Sequence, residues 1–374
     1  MVKPTPNPPR RREDAKNHEA FSVSRKMWRC RLVVLGPILF HFSPSDISAQ
    51  QGHPLPYQNS PADSVQGSTE EERALLRALE DPATRVEAQY RLAWIYTATA
   101  QWQKAEDVIS RFLTARPQSP DGLYVLGYAL FRQGKYPQSA VALQKSLQIK
   151  NDNADAHKIL ALDYYQLNQT DLAEQELRTA TRLNPQLAEV HYFLGRIYYS
   201  QNRFEQARRA FERAIQLDSQ YVKAYDNLGL TLDALNRADE AVETYQKAIE
   251  LNERLPLPSK WPYFNLGELL MKGNRSAESI PLLEKALALD PGWTKAHVKL
   301  GKAWLQQGKL EEALKSFQTA VHLDPESPDP HYQLGQLYRK LGKLEAAQRE
   351  LRLFERLRGG GKLVRGEAKL SNEE

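Results

Sequence analysis

The chain has one cysteine, Cys30, among 374 residues. It stands near the amino terminus, so the rest of the chain can form no disulfide and offers no thiolate for catalysis or metal binding. No apolar run approaches the roughly 20 residues that cross a bilayer as a helix, which excludes a permanent membrane span. A concentrated basic surface is also missing. The net charge is +5, but residues 1–49 hold nine of the 51 Lys and Arg and four of the 46 Asp and Glu, leaving 42 of each sign in the remainder. Phosphate binding needs clustered positive charge, so nucleic acid is not an expected partner. Catalytic constellations are scarce too. GGGK at 359–362 is followed by Leu363, whereas a phosphate loop needs Ser or Thr after the Lys and a strand before it. No Ser, His and Asp arrangement attached to a strand and turn occurs. No enzyme activity, cofactor or metal is therefore expected.

What is present begins with a leader. From Ser24 the chain reads SRKMWRCRLVVLGPILFHFSPSDISAQQG, with Arg25, Lys26, Arg29 and Arg31 ahead of an apolar run from Leu32 to Phe42. That is the layout of a secretory signal, with Ile47 and Ala49 before Gln50 as a cleavage point. The expected location is periplasmic or extracellular, with a cytoplasmic adaptor as the alternative. Either Met1 or Met27 serves as the start. The division that follows is 1–49 leader, 50–67 polar linker, 68–85 capping helix, 86–361 repeats and 362–374 tail.

The repeats announce themselves by period. Leu followed by Gly or Ala recurs at Leu92, Leu126, Leu160, Leu194, Leu228, Leu266, Leu300 and Leu334, each 34 residues after the last except for one step of 38 between Leu228 and Leu266. Counted from six residues before each Leu, eight units span 86–119, 120–153, 154–187, 188–221, 222–255, 260–293, 294–327 and 328–361, with an insertion at 256–259. Position 20 is always Ala or Ser, and position 24 is always large and apolar: Ile109, Leu143, Leu177, Phe211, Tyr245, Leu283, Phe317 and Leu351. These spacings are helical, and QGK at 133–135, KGN at 272–274, QGK at 307–309 and LGK at 341–343 mark turns between two amphipathic helices. Gly fills position 8 in six of the eight units although it costs about 1 kcal/mol in a helix, which implies a close approach to the small position 20.

Leu, Gly or Ala, aromatic, Ala and Pro at these offsets resemble the tetratricopeptide repeat. The resemblance covers about three-quarters of the chain. It implies an all-α fold, a right-handed superhelix of stacked antiparallel helix pairs. Position 27 is small in the six inner repeats but is Phe112 in the first and Phe354 in the last, as terminal repeats require atypical faces. Ser68 and Thr69 are candidate caps of a helix covering the first repeat. At the other end Leu353, Phe354 and Leu357 offer either a homo-oligomer contact or a plain exposed end. His157, His191, His297 and His331 share position 4, where equivalent placement between helices predicts packing rather than metal ligation.

The resemblance also implies that first-helix positions 2, 5, 9, 12 and 13 line an inner groove. The first four repeats place Tyr90, Trp94, Tyr124, Tyr128, Phe131, Tyr165, Tyr192 and Tyr199 there, with Glu87, Asp121, Asp155 and Glu189 at position 2. The last three place Lys272, Lys295, Lys302, Arg339 and Lys340, joined by Lys299 at position 6. Aromatic rings with polar tips suit protein interfaces, and clustered Lys and Arg suit acidic segments or a terminal carboxylate. Asn265, Lys295 and Lys299 match three of the five residues of the carboxylate clamp found in chaperone-binding relatives. Asp226 and Leu230 replace the other two, and the insertion is expected to break the stacking there. The expected function is a non-catalytic scaffold or adaptor holding a protein or peptide in this groove. The alternatives are a substrate-binding subunit of an enzyme assembly, such as a glycosyltransferase, or an intracellular adaptor.

Overall fold

A computed structural model describes residues 67–359, which form seventeen α-helices and no strand among the described residues. Helix α1, Gly67–Ala78, precedes eight pairs. These are α2 Arg85–Ala98 with α3 Trp102–Ala115, α4 Pro120–Arg132 with α5 Tyr136–Ile149, α6 Ala154–Gln166 with α7 Thr170–Leu183, and α8 Ala188–Ser200 with α9 Phe204–Leu217. They continue as α10 Val222–Ala234 with α11 Ala238–Asn252, α12 Trp261–Lys272 with α13 Ser276–Leu289, α14 Thr294–Gln306 with α15 Leu310–Leu323, and α16 Pro328–Lys340 with α17 Leu344–Arg358. Every helix packs on its neighbours in sequence, which makes a solenoid of stacked helix pairs. First helices of successive repeats also touch one another more closely than second helices do, so the first-helix side is the shorter, concave side of the stack.

The turn inside each pair obeys one rule. Position 15 adopts the left-handed conformation in all eight repeats, using Ala100, Gly134, Asn168, Asn202, Asn236, Asn274, Gly308 and Gly342 at φ between 58° and 74°. Asn and Gly enter that region readily, whereas Ala100 carries a cost of ~1–2 kcal/mol. In the sixth repeat the turn residue is Asn274, and Gly273 of the KGN string keeps φ −81°. Helix starts are capped where the sequence allows it. The Ser119 side chain accepts from Gly122 N at 3.1 Å ahead of Pro120, and that of Asn153 accepts from Ala156 N at 3.0 Å.

The glycines at position 8 admit the large residue at position 24 of the same repeat. A Cβ built on Gly195, Gly229 or Gly301 would lie 2.5–2.6 Å from the ring of Phe211, Tyr245 or Phe317, and one on Gly127 would lie 2.6 Å from Leu143. The close approach expected with position 20 is present as well: Ser139 Oγ donates to Gly127 O and Ser279 Oγ to Gly267 O, each at 2.8 Å. The tight steric partner, however, is position 24. Between the first and second repeats a different lock operates, since Phe112 lies where a Cβ on Gly122 would come within 2.7 Å.

Helix α1 covers the first repeat through Leu75, which packs with Ala88, Leu92 and Tyr96. It stops at Ala78, short of the expected residue 85. Pro82 disfavours helix at Asp81, and the link is held as a turn by Ala83 N donating to Asp81 Oδ1 and Thr84 Oγ1 donating to Ala78 O. The side chains of Ser68 and Thr69, the leader and the tail after Gly359 lie outside the described residues. At the carboxyl end the last helix stops at Arg358, with Leu353, Phe354 and Leu357 half-buried and Phe354 packed on Tyr332 at 5.0 Å.

The insertion does not interrupt the stack, contrary to the sequence expectation. Helices α10 and α12 touch across it. Buried Asn252 at the end of α11 donates to Ser259 O and accepts from Ser259 N, both at 2.8 Å, so the extra residues form a pinned loop on the edge. Its tip, Leu257, is 86% exposed. The apolar core crosses this point, since one cluster joins Leu228, Leu232 and Tyr245 before the insertion to Leu266, Leu269 and Leu270 after it.

Candidate functional site

The inner face is built by the first helix of each repeat, and its character follows from what the 34-residue register brings side by side. In the first four repeats Tyr90, Trp94, Tyr128, Tyr165 and Tyr199 are half-buried and contribute to the surface of the groove. Tyr124, Phe131 and Tyr192 sit deeper than groove lining requires, since neighbouring helices cover them, and they serve as its floor. The rings form a connected layer. Tyr90 meets Trp94 edge-on at 6.3 Å, Trp94 meets Tyr124 at 6.2 Å across the first repeat boundary, and Tyr124 stacks with Tyr128 at 6.4 Å.

Two arginines set this layer in place. Arg132 lies 4.2 Å from the ring centre of Trp102 and 5.8 Å from that of Tyr128, and its Nη1 donates to Tyr128 Oη at 3.0 Å. Arg196 lies 6.0 Å from Tyr165 and 5.9 Å from Tyr192. Cation–ring contacts of this kind contribute roughly 0.5–1 kcal/mol each at exposed sites. Arg132 at position 13 and Arg196 at position 9 hold groove positions, so the register signals them, and Trp102 on α3 closes the outer side. Leu162, Tyr165, Phe193 and Arg196 bound a shallow recess between the third and fourth repeats.

Lys158 stands at position 5 of the third repeat, where five of the other repeats have Tyr or Phe. Burial opposes its charge, but Glu189 and Asp155, each 2.8 Å away, outweigh that and hold its pKa above the ordinary lysine value. The acidic position-2 residues of the third and fourth repeats are thereby occupied within the fold, while Glu87 and Asp121 remain exposed.

The basic end is less basic than its sequence. Lys272, Lys295, Arg339 and Lys340 are exposed, and Lys299 and Lys302 are half-buried. Lys299 lies 2.5 Å and Lys295 3.5 Å from Glu268, Lys272 lies 2.5 Å from Asp233, and Lys302 lies 3.5 Å from Asp329. Glu268 at position 9 of the sixth repeat is the residue that the sequence reading missed. Asn265 is buried and donates through Nδ2 to Asp226 Oδ1 at 2.9 Å, so its amide faces a carboxyl inside the fold. Asn265, Lys295 and Lys299 therefore do not converge as an open clamp for an incoming carboxylate.

Two carboxyl groups are buried beneath the inner face. Asp163 has its pKa raised by burial to about 8, against the opposing hydrogen bond from Ser139. The geometry accords with a neutral acid: Ser139 Oγ lies 2.8 Å from Gly127 O and 2.6 Å from Asp163 Oδ2, and its single hydrogen can serve only one of them. Asp226 has its pKa raised by burial to about 7, with the Asn265 hydrogen bond opposing. The four position-4 histidines are held by the fold. His157 meets Glu176 and Asn151, His331 meets Glu350 and Pro325 O, and His191 and His297 reach Pro185 O and Pro291 O.

Comparison with known proteins agrees with this geometry. Models of the tetratricopeptide repeat match residues 160–222 and 198–256, and 262–292 and 328–358, and a further TPR-repeat model matches 301–342. A model described as anaphase-promoting complex, cyclosome, subunit 3 matches residues 98–180. Among solved structures, a tetratricopeptide repeat protein from Parabacteroides merdae ATCC 43184 is 19% identical, with a TM-score of 0.52 over 72% of this chain and 98% of that one. PilF of Pseudomonas aeruginosa is 23% identical, with a TM-score of 0.50 over 58% of this chain and 96% of its own. The APC/C hetero-tetramer Cut9–Hcn1 is 15% identical, with a TM-score of 0.56 over 72% of this chain and 52% of that one. At these identities the likeness shows the fold alone. No curated protein matches the chain.

Proposed function

Because this chain belongs to the tetratricopeptide-repeat family, we propose that it is a non-catalytic scaffold that holds an extended segment of a partner protein along the inner face of repeats one to four. The observation that carries this reading is the half-buried strip of Tyr90, Trp94, Tyr128, Tyr165 and Tyr199 over a floor of buried rings. Rings held in place by packing lose little entropy on binding, while each offers a large apolar area and a polar tip. A bound segment covers these faces and meets Glu87 and Asp121 at the groove edge.

The internally paired lysines of repeats six to eight are the weaker candidate for the contact. Desolvating Lys295 or Lys299 would require separating it from Glu268, which offsets much of what a new carboxylate would contribute. The basic and apolar leader supports a place of action outside the cytoplasm. Fusion of residues 1–60 to a reporter that is active only after export tests that location; reporter activity is expected, and an intact amino terminus on the mature chain, read by mass spectrometry, would favour the intracellular adaptor.

The groove is tested by selecting peptides from a random display library on the purified chain. Selected peptides are expected to lose binding to the Tyr128→Ala, Tyr165→Ala, Tyr199→Ala triple variant and to keep it for Lys295→Ala, Lys299→Ala. Equal binding to both variants would remove the aromatic groove as the site.

A further inference from the structure

In the first four repeats position 2 is a carboxylate in the first turn of the inner helix, and one neighbouring pair shows what the register builds. Asp155 of the third repeat and Glu189 of the fourth share one ammonium, that of Lys158 at position 5, each at 2.8 Å. The Lys158 side chain is only 16% exposed, so two carboxylates hold a cation on the inner face against the cost of taking it out of water. The first and second repeats carry the same pair in the same register, Glu87 and Asp121, but position 5 between them is Tyr90. Both carboxylates are exposed, and neither has an ion pair among the described residues. The nearby cations are engaged elsewhere, Arg91 with Glu71 at 2.6 Å and Lys135 with Glu106 at 2.7 Å.

We propose that Glu87 and Asp121 recognise a Lys or Arg side chain of the bound partner segment, whose cation takes between them the place that Lys158 takes between Asp155 and Glu189. This rests on the aromatic groove being the binding face, and it names the partner's chemistry: an extended segment with a basic residue over the first two repeats.

The floor beside the carboxylates suits such a side chain. Tyr90, Trp94, Tyr124 and Tyr128 follow one another at 6.2–6.4 Å, and ring faces attract cations. The same groove already sets Arg196 against Tyr165 and Tyr192. Tyr124, 2% exposed, keeps its hydroxyl without a hydrogen-bond partner among the described residues, as does the Trp94 indole nitrogen. Unpaired buried polar atoms are costly, so a carbonyl of the bound segment that reaches either donor is favoured. First-turn acids also stabilise their own helices through the dipole, which is why the test reads selectivity rather than stability.

Random peptides are selected by display on the full chain, on the double variant Glu87→Gln, Asp121→Asn, and on Tyr90→Lys, which supplies an ammonium from the chain itself where Lys158 stands in the third repeat. The wild type is expected to enrich Lys or Arg at one peptide position by about tenfold over the unselected library, and both variants to lose that enrichment. Tyr90→Gln, which removes the same ring without adding charge, should keep it. A selected peptide remade with Gln for its basic residue should bind the wild type about tenfold more weakly, with the gap narrowing as salt is raised. Cooperative thermal melts by circular dichroism show that each variant is folded. A wild type that enriches no basic residue, or a double variant that enriches it as the wild type does, overturns the cation site. If such peptides still lose binding to the Tyr128→Ala, Tyr165→Ala, Tyr199→Ala variant, the groove stands without the cation site; if they ignore those rings as well, both readings fall.

Discussion

Repeats one to four and repeats six to eight share one spine and differ in what they turn inward. In both parts a residue at position 8 receives the large position-24 residue, and position 15 turns left-handed. In the first part the inner face is a layer of rings held by one another and by Arg132 and Arg196. In the second it is a set of lysines balanced by Glu268, Asp233 and Asp329. The spine and the groove lining are therefore carried by separate registers of the same helix. The aromatic lining is held by ring and cation contacts, and the cationic lining by its counter-charges.

The largest effect should leave the comparison intact. Phe211→Ala and Phe317→Ala, one in each part, each empty a fully buried site behind a glycine and are expected to lower unfolding free energy by about 3–5 kcal/mol in urea titrations. A cost confined to one part would show that the spines are not equivalent.

The second effect concerns protons and separates the buried acids from the paired surface. The folded-state pKa of Asp163, about 8, and of Asp226, about 7, both lie above the ordinary aspartate value, so the folded chain binds more protons than the unfolded chain in between. Their stabilising contribution is complete below pH ~4 and is lost as pH rises through ~7–8. Asp163→Asn should remove part of this decline and make the protein more stable than wild type at pH 9, by on the order of 2 kcal/mol once water access to the strained carboxylate is allowed for. Urea titrations from pH 5 to pH 9 read this directly, and a wild type whose stability rises over that interval would contradict it.

Third comes the groove itself. For a display-selected peptide, the loss of Tyr128, Tyr165 and Tyr199 should weaken binding at least ~30-fold, roughly 2 kcal/mol. Loss of Lys295 and Lys299 should change it less than ~5-fold, as titration calorimetry can establish; the reverse order would move the site to the carboxyl end. The smallest effect is expected at Lys272. Its pair with Asp233 is largely exposed on the lysine side, so Lys272→Ala should cost less than about 1 kcal/mol, and less still in high salt.

Much of the spine was legible in the residues because each constraint repeats in register. Gly at position 8 and a large residue at position 24 describe one contact several times over. The turn was only partly legible: a Gly marks it in three repeats, but Asn168, Asn202, Asn236 and Asn274 do the same work without a Gly at that position. The groove was legible as a set of positions and not as a surface. Register gives Tyr124, Phe131, Tyr192 and Asn265 the same claim to exposure as Tyr128 or Tyr165, and only packing across repeat boundaries shows that they are covered. The pairing of Lys295 and Lys299 with Glu268 escaped for a similar reason: those residues are 27 and 31 apart in sequence, and their meeting depends on how adjacent first helices lie. Nothing local distinguishes Asp163 and Asp226 from solvated acids on the same helices.

The lock of Gly and large residue also bears on how such a chain can grow or shrink. Gly127 with Leu143, Gly195 with Phe211, Gly229 with Tyr245 and Gly301 with Phe317 are each complete within one 34-residue unit. A recombination event that duplicates or deletes such a unit in frame carries both halves of its tightest fit along. Phe112 and Gly122 belong to different units. Loss of the second unit would set Phe112 against Ala156, whose Cβ fills the space that Gly122 leaves open, so the first two repeats are inherited as a pair while the tight internal fits of the inner ones are portable.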